Sequence, residues 1–182
     1  MKEQPEPVIN SPHLYMAEDK NKLLYYSLGD LVDRAVKILE DQPFHLKIVK
    51  ETNKTAEQLN ISGIIHTICE EYNIVPYHNF THGFAVFLSY FDMSHVKGIS
   101  KYFDDFSLFF SLIACISHDI GHRKILDNVA GNNTLFEVKV KSEISVLFSN
   151  ISVMEKMHVA KTMEILSRNP KTSTLFENLT PP

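Results

Sequence analysis

The chain has 182 residues, 44% of them hydrophobic and 22% charged, which is enough apolar side chain for one domain with a real core and argues against general disorder. A formal charge of -4 offers no basic excess for nucleic acid or an anionic membrane, so a small molecule or another protein is the expected partner. Cys69 and Cys115 are the only cysteines, too few for a disulfide scaffold and without zinc-knuckle spacing, so a reducing, cytoplasmic setting is expected.

Residues 1–20, interrupted by Pro5, Pro7 and Pro12, read as a flexible tail with neither a secretory signal nor a membrane anchor. No later segment reaches the roughly 18 apolar residues that a membrane-spanning helix needs. From Leu23 the pattern becomes helical: Leu24, Leu28, Leu31, Ala35 and Ile38 recur at spacings of four and three and form one stripe, which Pro43 ends. Residues 44–49 are short, apolar and bracketed by polar residues, which fits a strand or an extended connection. A further helix is predicted over residues 56–72, where Leu59, Ile61, Ile64, Ile65 and Ile68 share a face.

Residues 78–90 and 106–120 are apolar all round, as in helices buried in the middle of a helical domain. The second delivers His118, Asp119 and His122 at its tip, where Gly121 can loosen the backbone. Residues 123–134 read as a loop. Helices resume over residues 135–148 and 152–166, the last closed by Pro170. The predicted fold class is all-α.

His78 and His82 stand four residues apart, so on a helix they project from one face. That spacing alone fits core or surface histidines equally well. His118 and Asp119 are adjacent, about 100° apart around a helix, which works against convergence on one ion. Two neighbouring ions remove the difficulty. A short aspartate can bridge two divalent cations while the longer histidine binds one, and such a pair makes a nucleophile of water and neutralises a phosphoryl oxygen. His122 falls one turn beyond His118, within reach of the same water. Together His82, His118 and Asp119 offer the imidazole and carboxylate mixture that suits zinc and tolerates a harder second ion, magnesium or manganese.

Three segments carry a family resemblance. The run from Tyr77 to His82, YHNFTH, resembles the H-N-x-x-H element of class I cyclic-nucleotide phosphodiesterases. ACISHDIGH, ending at His122, resembles their H-D-x-x-H element, and SVMEKMHVA, from Ser152, resembles S-V-L-E-N-H-H-x-A. The three occur in the family's order. The resemblance implies a multi-helix phosphodiesterase bundle of the HD type, with residues 21–182 forming the N-terminal portion of the catalytic domain. It implies hydrolysis of cyclic AMP, cyclic GMP or both in cyclic-nucleotide signalling.

By the same resemblance His78 is the general acid that protonates the leaving O3', and His82, His118 and Asp119 are ligands of two divalent ions, zinc with magnesium or manganese. Asp119 touches both ions, Glu155 hydrogen-bonds His78, His122 lies near the water held by the metal, and Tyr77 contacts substrate. The implied partner is a cyclic nucleotide, and a homodimer is compatible with the family.

The chain also departs from the family. Gly83 and Ala85 stand where H-A-x-D-V is usual, Asp127 stands where a family Asn is usual with Asn128 just after it, and Lys156 and Met157 replace Asn and His in the third element. The last metal-binding aspartate, the purine-gripping glutamine and the hydrophobic clamp belong to a part of the family domain beyond the matched segments. Weaker metal binding, exposed apolar faces and poor activity of this chain alone are therefore expected. Two other readings are an HD-type phosphohydrolase of a different phosphoester, encouraged by Gly121 where phosphodiesterases often carry Asp, and a non-catalytic metal-binding or interaction fragment.

Overall fold

The computed structural model describes residues 23, 26–52, 55, 59–96, 99–122 and 133–168. The predicted tail, most of the predicted loop after Arg123 with Asp127 and Asn128, and Pro170 lie outside them. Among the described residues the chain is all-helical, with no strand.

Helix α1 (Leu28–Glu40) starts later than its apolar pattern because Ser27 caps it. The Ser27 hydroxyl accepts the Asp30 amide at 3.1 Å, and the Asp30 carboxylate accepts the Ser27 amide at 3.0 Å. Its stripe of Leu31, Val32, Ala35, Ile38 and Leu39 is buried. Pro43 begins α2 (Pro43–Thr52) instead of closing α1, since a proline in a first helical turn forfeits no hydrogen bond. Residues 44–49 are thus helical, not extended. Here His45 and Ile48 are buried three apart while Lys47 and Lys50 face out, a period too short in extent to read against a strand.

Helix α3 (Ile61–Glu71) begins after Asn60, which at φ 47° turns the chain and accepts the Gly63 amide on its side chain at 3.0 Å, and residues 56–58 of the predicted helix lie outside the described residues. Helix α4 (Phe80–Ser94) is capped by Asn79, which accepts the His82 amide at 3.1 Å. After a 3₁₀ turn at Ser100–Tyr102 comes α5 (Asp105–Ser117), capped by Asp104. The single helix predicted over 135–148 is two, α6 (Thr134–Lys139) and α7 (Glu143–Leu147), since Lys141 adopts a left-handed φ of 51° and Ser142 caps the second. Helix α8 (Val153–Arg168) completes the described chain.

The core is built around α4 and α5, which pack on each other along Phe80, Phe84, Phe87 and Phe91 on one side and Phe109, Leu112, Ile113 and Ile116 on the other. Each buried phenylalanine contributes roughly 2–3 kcal/mol of transfer free energy. Helix α1 covers α3, α2 lies on α5, and α8 crosses α3 and α5. Leu135, Val140, Val146, Leu147 and Ile151 are exposed on and beside α6 and α7. No helix among the described residues is long and apolar enough to cross a membrane.

Candidate metal centre

Helix α5 is an apolar support that stops at Ser117, and His118 is its C-cap. The chain then turns sharply through Gly121, whose φ of 78° is open to glycine and strained for other residues. Asp119 therefore leaves the helical register, and its buried carboxylate lies among histidines from three elements. Its Oδ2 lies 2.8 Å from His78 Nδ1, 3.2 Å from His82 Nε2 and 3.0 Å from His118 Nε2. Its Oδ1 faces the other way, 3.5 Å from His122 Nε2 and 3.9 Å from His158 Nε2.

Backbone carbonyls fix two of these rings. His118 Nδ1 donates to the Cys115 carbonyl at 2.9 Å, and His158 Nδ1 donates to the Ile120 carbonyl at 2.6 Å. In the neutral imidazole each Nε2 is then a bare acceptor pointed at a carboxylate oxygen. His118 Nε2 also lies 3.2 Å from His82 Nε2. Contacts of this kind are satisfied either by a proton on an imidazole nitrogen or by a cation held among the rings and the carboxylate. The donor atoms of His82, His118 and Asp119 Oδ2 lie 3.0–3.2 Å from one another, close enough for one ion to take all three. The groups His78, His82, Asp119 and Asp119, His122, His158 each bring three donor atoms within 4.8 Å. The buried His122 Nδ1 has no partner among the described residues. This donor set fits divalent ions.

Burial pushes the Asp119 carboxyl up, but hydrogen bonds from His118, His122 and His78 outweigh it and hold the group well below the usual carboxylate range. The bond to Asp119 raises His118, against burial. Burial lowers His82, with Asp119 opposing, and burial lowers His158 despite its bond to Ile120. Elsewhere, burial pushes the thiols of Cys69 and Cys115 up to about 11, so neither offers a thiolate near neutral pH.

All of the sequence-predicted histidines and Asp119 meet here, by a different local route from the one expected. His78 precedes α4 instead of sharing a helix face with His82, and the two rings meet edge to face with centroids 6.0 Å apart. His78 stacks on His122 at 4.1 Å and 8°. Tyr77 is exposed, its ring 4.5 Å from that of His82. Glu155, in the first turn of α8, accepts from the Thr134 hydroxyl at 3.3 Å, while the hydrogen-bond partner of His78 among the described residues is Asp119. Glu155 and His78 nevertheless line one cavity of about 730 Å³ between α5 and α8, walled by Phe110, Ile113, Ala114 and Met163 and lined also by His118, Asp119, His122 and His158.

Sequence reasoning passed over His158, whose place in the third motif was a usable signal. It also passed over Tyr72 and Asn73, which carried none. The Tyr72 hydroxyl donates to the Ile116 carbonyl at 2.9 Å and accepts the Asp119 amide at 3.3 Å, and Asn73 Nδ2 donates to the His122 carbonyl at 2.6 Å.

A helical bundle with imidazoles on both oxygens of one buried aspartate defines a candidate divalent-metal protein. The family model described as 3'5'-cyclic nucleotide phosphodiesterase matches residues 77–182, more than half of the chain, which belongs to that family. The cone cGMP-specific 3',5'-cyclic phosphodiesterase subunit alpha' of Bos taurus is 29% identical over 136 residues, 75% of this chain and 14% of that protein. The dual 3',5'-cyclic-AMP and -GMP phosphodiesterase beta of Plasmodium falciparum is 36% identical over 115 residues, 60% of this chain and 9% of that protein. Among solved structures, the phosphodiesterase domain of the RhoPDE fusion protein from the choanoflagellate Salpingoeca rosetta matches with a TM-score of 0.70 at 21% identity, covering 93% of this chain and 50% of that one. The chain thus spans a small part of the curated relatives' length and half of the solved domain.

Proposed function

We propose that this chain forms the metal-binding part of a phosphodiesterase that hydrolyses cyclic AMP, cyclic GMP or both to the 5'-monophosphate. The observation that carries the reading is the buried Asp119 carboxylate, which turns one oxygen to His82 and His118 and the other to His122 and His158. His82, His118 and Asp119 would hold one ion, zinc in this reading, and Asp119 would also help hold a harder one, magnesium or manganese. When bound, such ions generate a nucleophile from water near neutral pH and offset charge on the phosphoryl oxygens.

The remaining requirement is a proton for the departing O3', since an alkoxide is a poor leaving group, and in this reading His78 would supply it. Its Nδ1 is engaged by Asp119, its Nε2 has no hydrogen bond among the described residues, and stacking on His122 fixes the ring plane at the cavity wall. Glu155, on the same cavity, would supply an acceptor within the space that substrate enters, and Tyr77, outside the cavity lining with its ring against His82, would contact substrate from there. Both nucleotides are retained because one relative is named as cGMP-specific and another as dual.

The test is hydrolysis of cyclic AMP and cyclic GMP with magnesium, manganese or zinc, beside His118→Ala and His78→Ala. The expected product is the 5'-monophosphate, formed roughly 10²–10⁴-fold more slowly by His78→Ala while metal content is unchanged. Equal rates for the unsubstituted chain and His118→Ala, or cleavage of some other phosphoester alone, would sink the reading.

A further inference from the structure

We propose that Tyr72 is a positioning residue for Asp119, its hydroxyl setting the backbone that aims both carboxylate oxygens at their histidines. The inference rests on the metal-site reading above and concerns a residue outside the three motifs.

Past the end of α5 the Asp119 amide lacks the acceptor that helix geometry would give it. That acceptor is the Cys115 carbonyl, which takes the His118 Nδ1 proton instead. The amide turns to the Tyr72 hydroxyl, which passes its own proton to the Ile116 carbonyl. One buried hydroxyl thereby satisfies an orphan donor and an orphan acceptor at the helix terminus. Its neighbours hold the same turn: the Glu71 carbonyl accepts the Gly121 amide at 3.2 Å and Asn73 binds the His122 carbonyl. Three consecutive residues at the end of α3 thus grip positions 119, 121 and 122.

The hydroxyl fits only because Gly83 has no side chain. A Cβ there would lie 2.6 Å from Tyr72 Oη and 2.8 Å from the Ile116 carbonyl, and Gly83 directly follows His82. The Tyr72 ring is further held edge-on to Phe80 at 5.8 Å. Aspartate has a short side chain, so contacts on both of its oxygens demand a backbone fixed to within about 0.5 Å. A hydrogen bond to the amide does this without occupying either oxygen.

The experiment compares the unsubstituted chain with Tyr72→Phe, which keeps the ring and removes the hydroxyl. Three readouts are taken: exchange of the Asp119 amide in the metal-free chain, zinc affinity by titration, and the visible spectrum of the cobalt-loaded chain. Tyr72→Phe is expected to retain its helical circular dichroism, to speed Asp119 exchange relative to Ile113, to weaken zinc binding roughly 10–100-fold and to shift the cobalt bands. Gly83→Ala, which crowds the hydroxyl from the opposite side, is expected to do the same and decides the matter if Tyr72→Phe does not fold. Unaltered Asp119 exchange with unaltered zinc affinity overturns the proposal. If the unsubstituted chain binds no zinc, the metal-site reading fails, and the exchange measurement still shows whether Tyr72 holds Asp119.

Discussion

Asp119 shares two oxygens among five histidines, so its charge is the element of the cluster that no other described residue duplicates. Asp119→Asn keeps the shape, removes the charge and places an NH₂ group against bare imidazole nitrogens. Zinc affinity is expected to fall by more than about 100-fold, measured by competition with a chromogenic chelator. The pH dependence follows from the histidines. His118 is raised, so in the metal-free chain its bond to Asp119 contributes stability that is full below the ordinary imidazole value of about 6.5 and is lost as pH rises through the raised value. His82 and His158 are lowered and act in the opposite sense, contributing above about 6.5 and losing that contribution as pH falls through their lowered values. A metal must displace the proton from His118, so calorimetric titration in buffers of different ionisation enthalpy should show proton release. Affinity should decline as pH drops through the imidazole range. Asp119, held below the carboxylate range, takes no part in that decline. The motif histidines were legible because their types and order are distinctive. Tyr72 and Asn73 were not, because they act through main-chain atoms of residues more than forty positions away.

The helices that carry the cluster were visible in the sequence as apolar runs, and their ends were not. Side-chain caps decided the ends: Ser27, Asn79 and Asp104 each accept an amide in the first turn of their helix. The placement of Asn79 puts His78 outside α4, which is why a four-residue spacing that suggested one helix face instead brings two imidazoles together from a loop and a helix. Where α5 ends, Gly121 makes the turn, and the Lys161 chain lies against it while Lys161 Nζ pairs with Glu71 at 2.9 Å. Gly121→Ala meets both the left-handed φ and the Lys161 methylenes 2.5 Å from its Cβ. A loss of about 1–2 kcal/mol is expected from the backbone alone, read as a shift in the urea midpoint at constant slope.

Over 93% of its length the chain shares the fold of half a solved phosphodiesterase domain at 21% identity, and its all-α class was readable from the periodicity of α1 and α3 and the all-round apolar runs of α4 and α5. In the reading proposed above, zinc would join α4 to the end of α5 through His82, His118 and Asp119, so its binding should stabilise the folded chain. Zinc at one hundred times its dissociation constant should add about 2.7 kcal/mol. Scanning calorimetry with and without chelator should show this as a rise of roughly 5–10 °C in the unfolding midpoint. The carbonyls of Cys115 and Ile120, which orient His118 and His158, have a consequence for how the site endures change. A main-chain oxygen is present whatever side chain occupies its position, so drift at positions 115 and 120 leaves both tautomers in place. The mutational vulnerability of the cluster is therefore concentrated in the histidines, the aspartate and the few small or hydroxylated residues that support them.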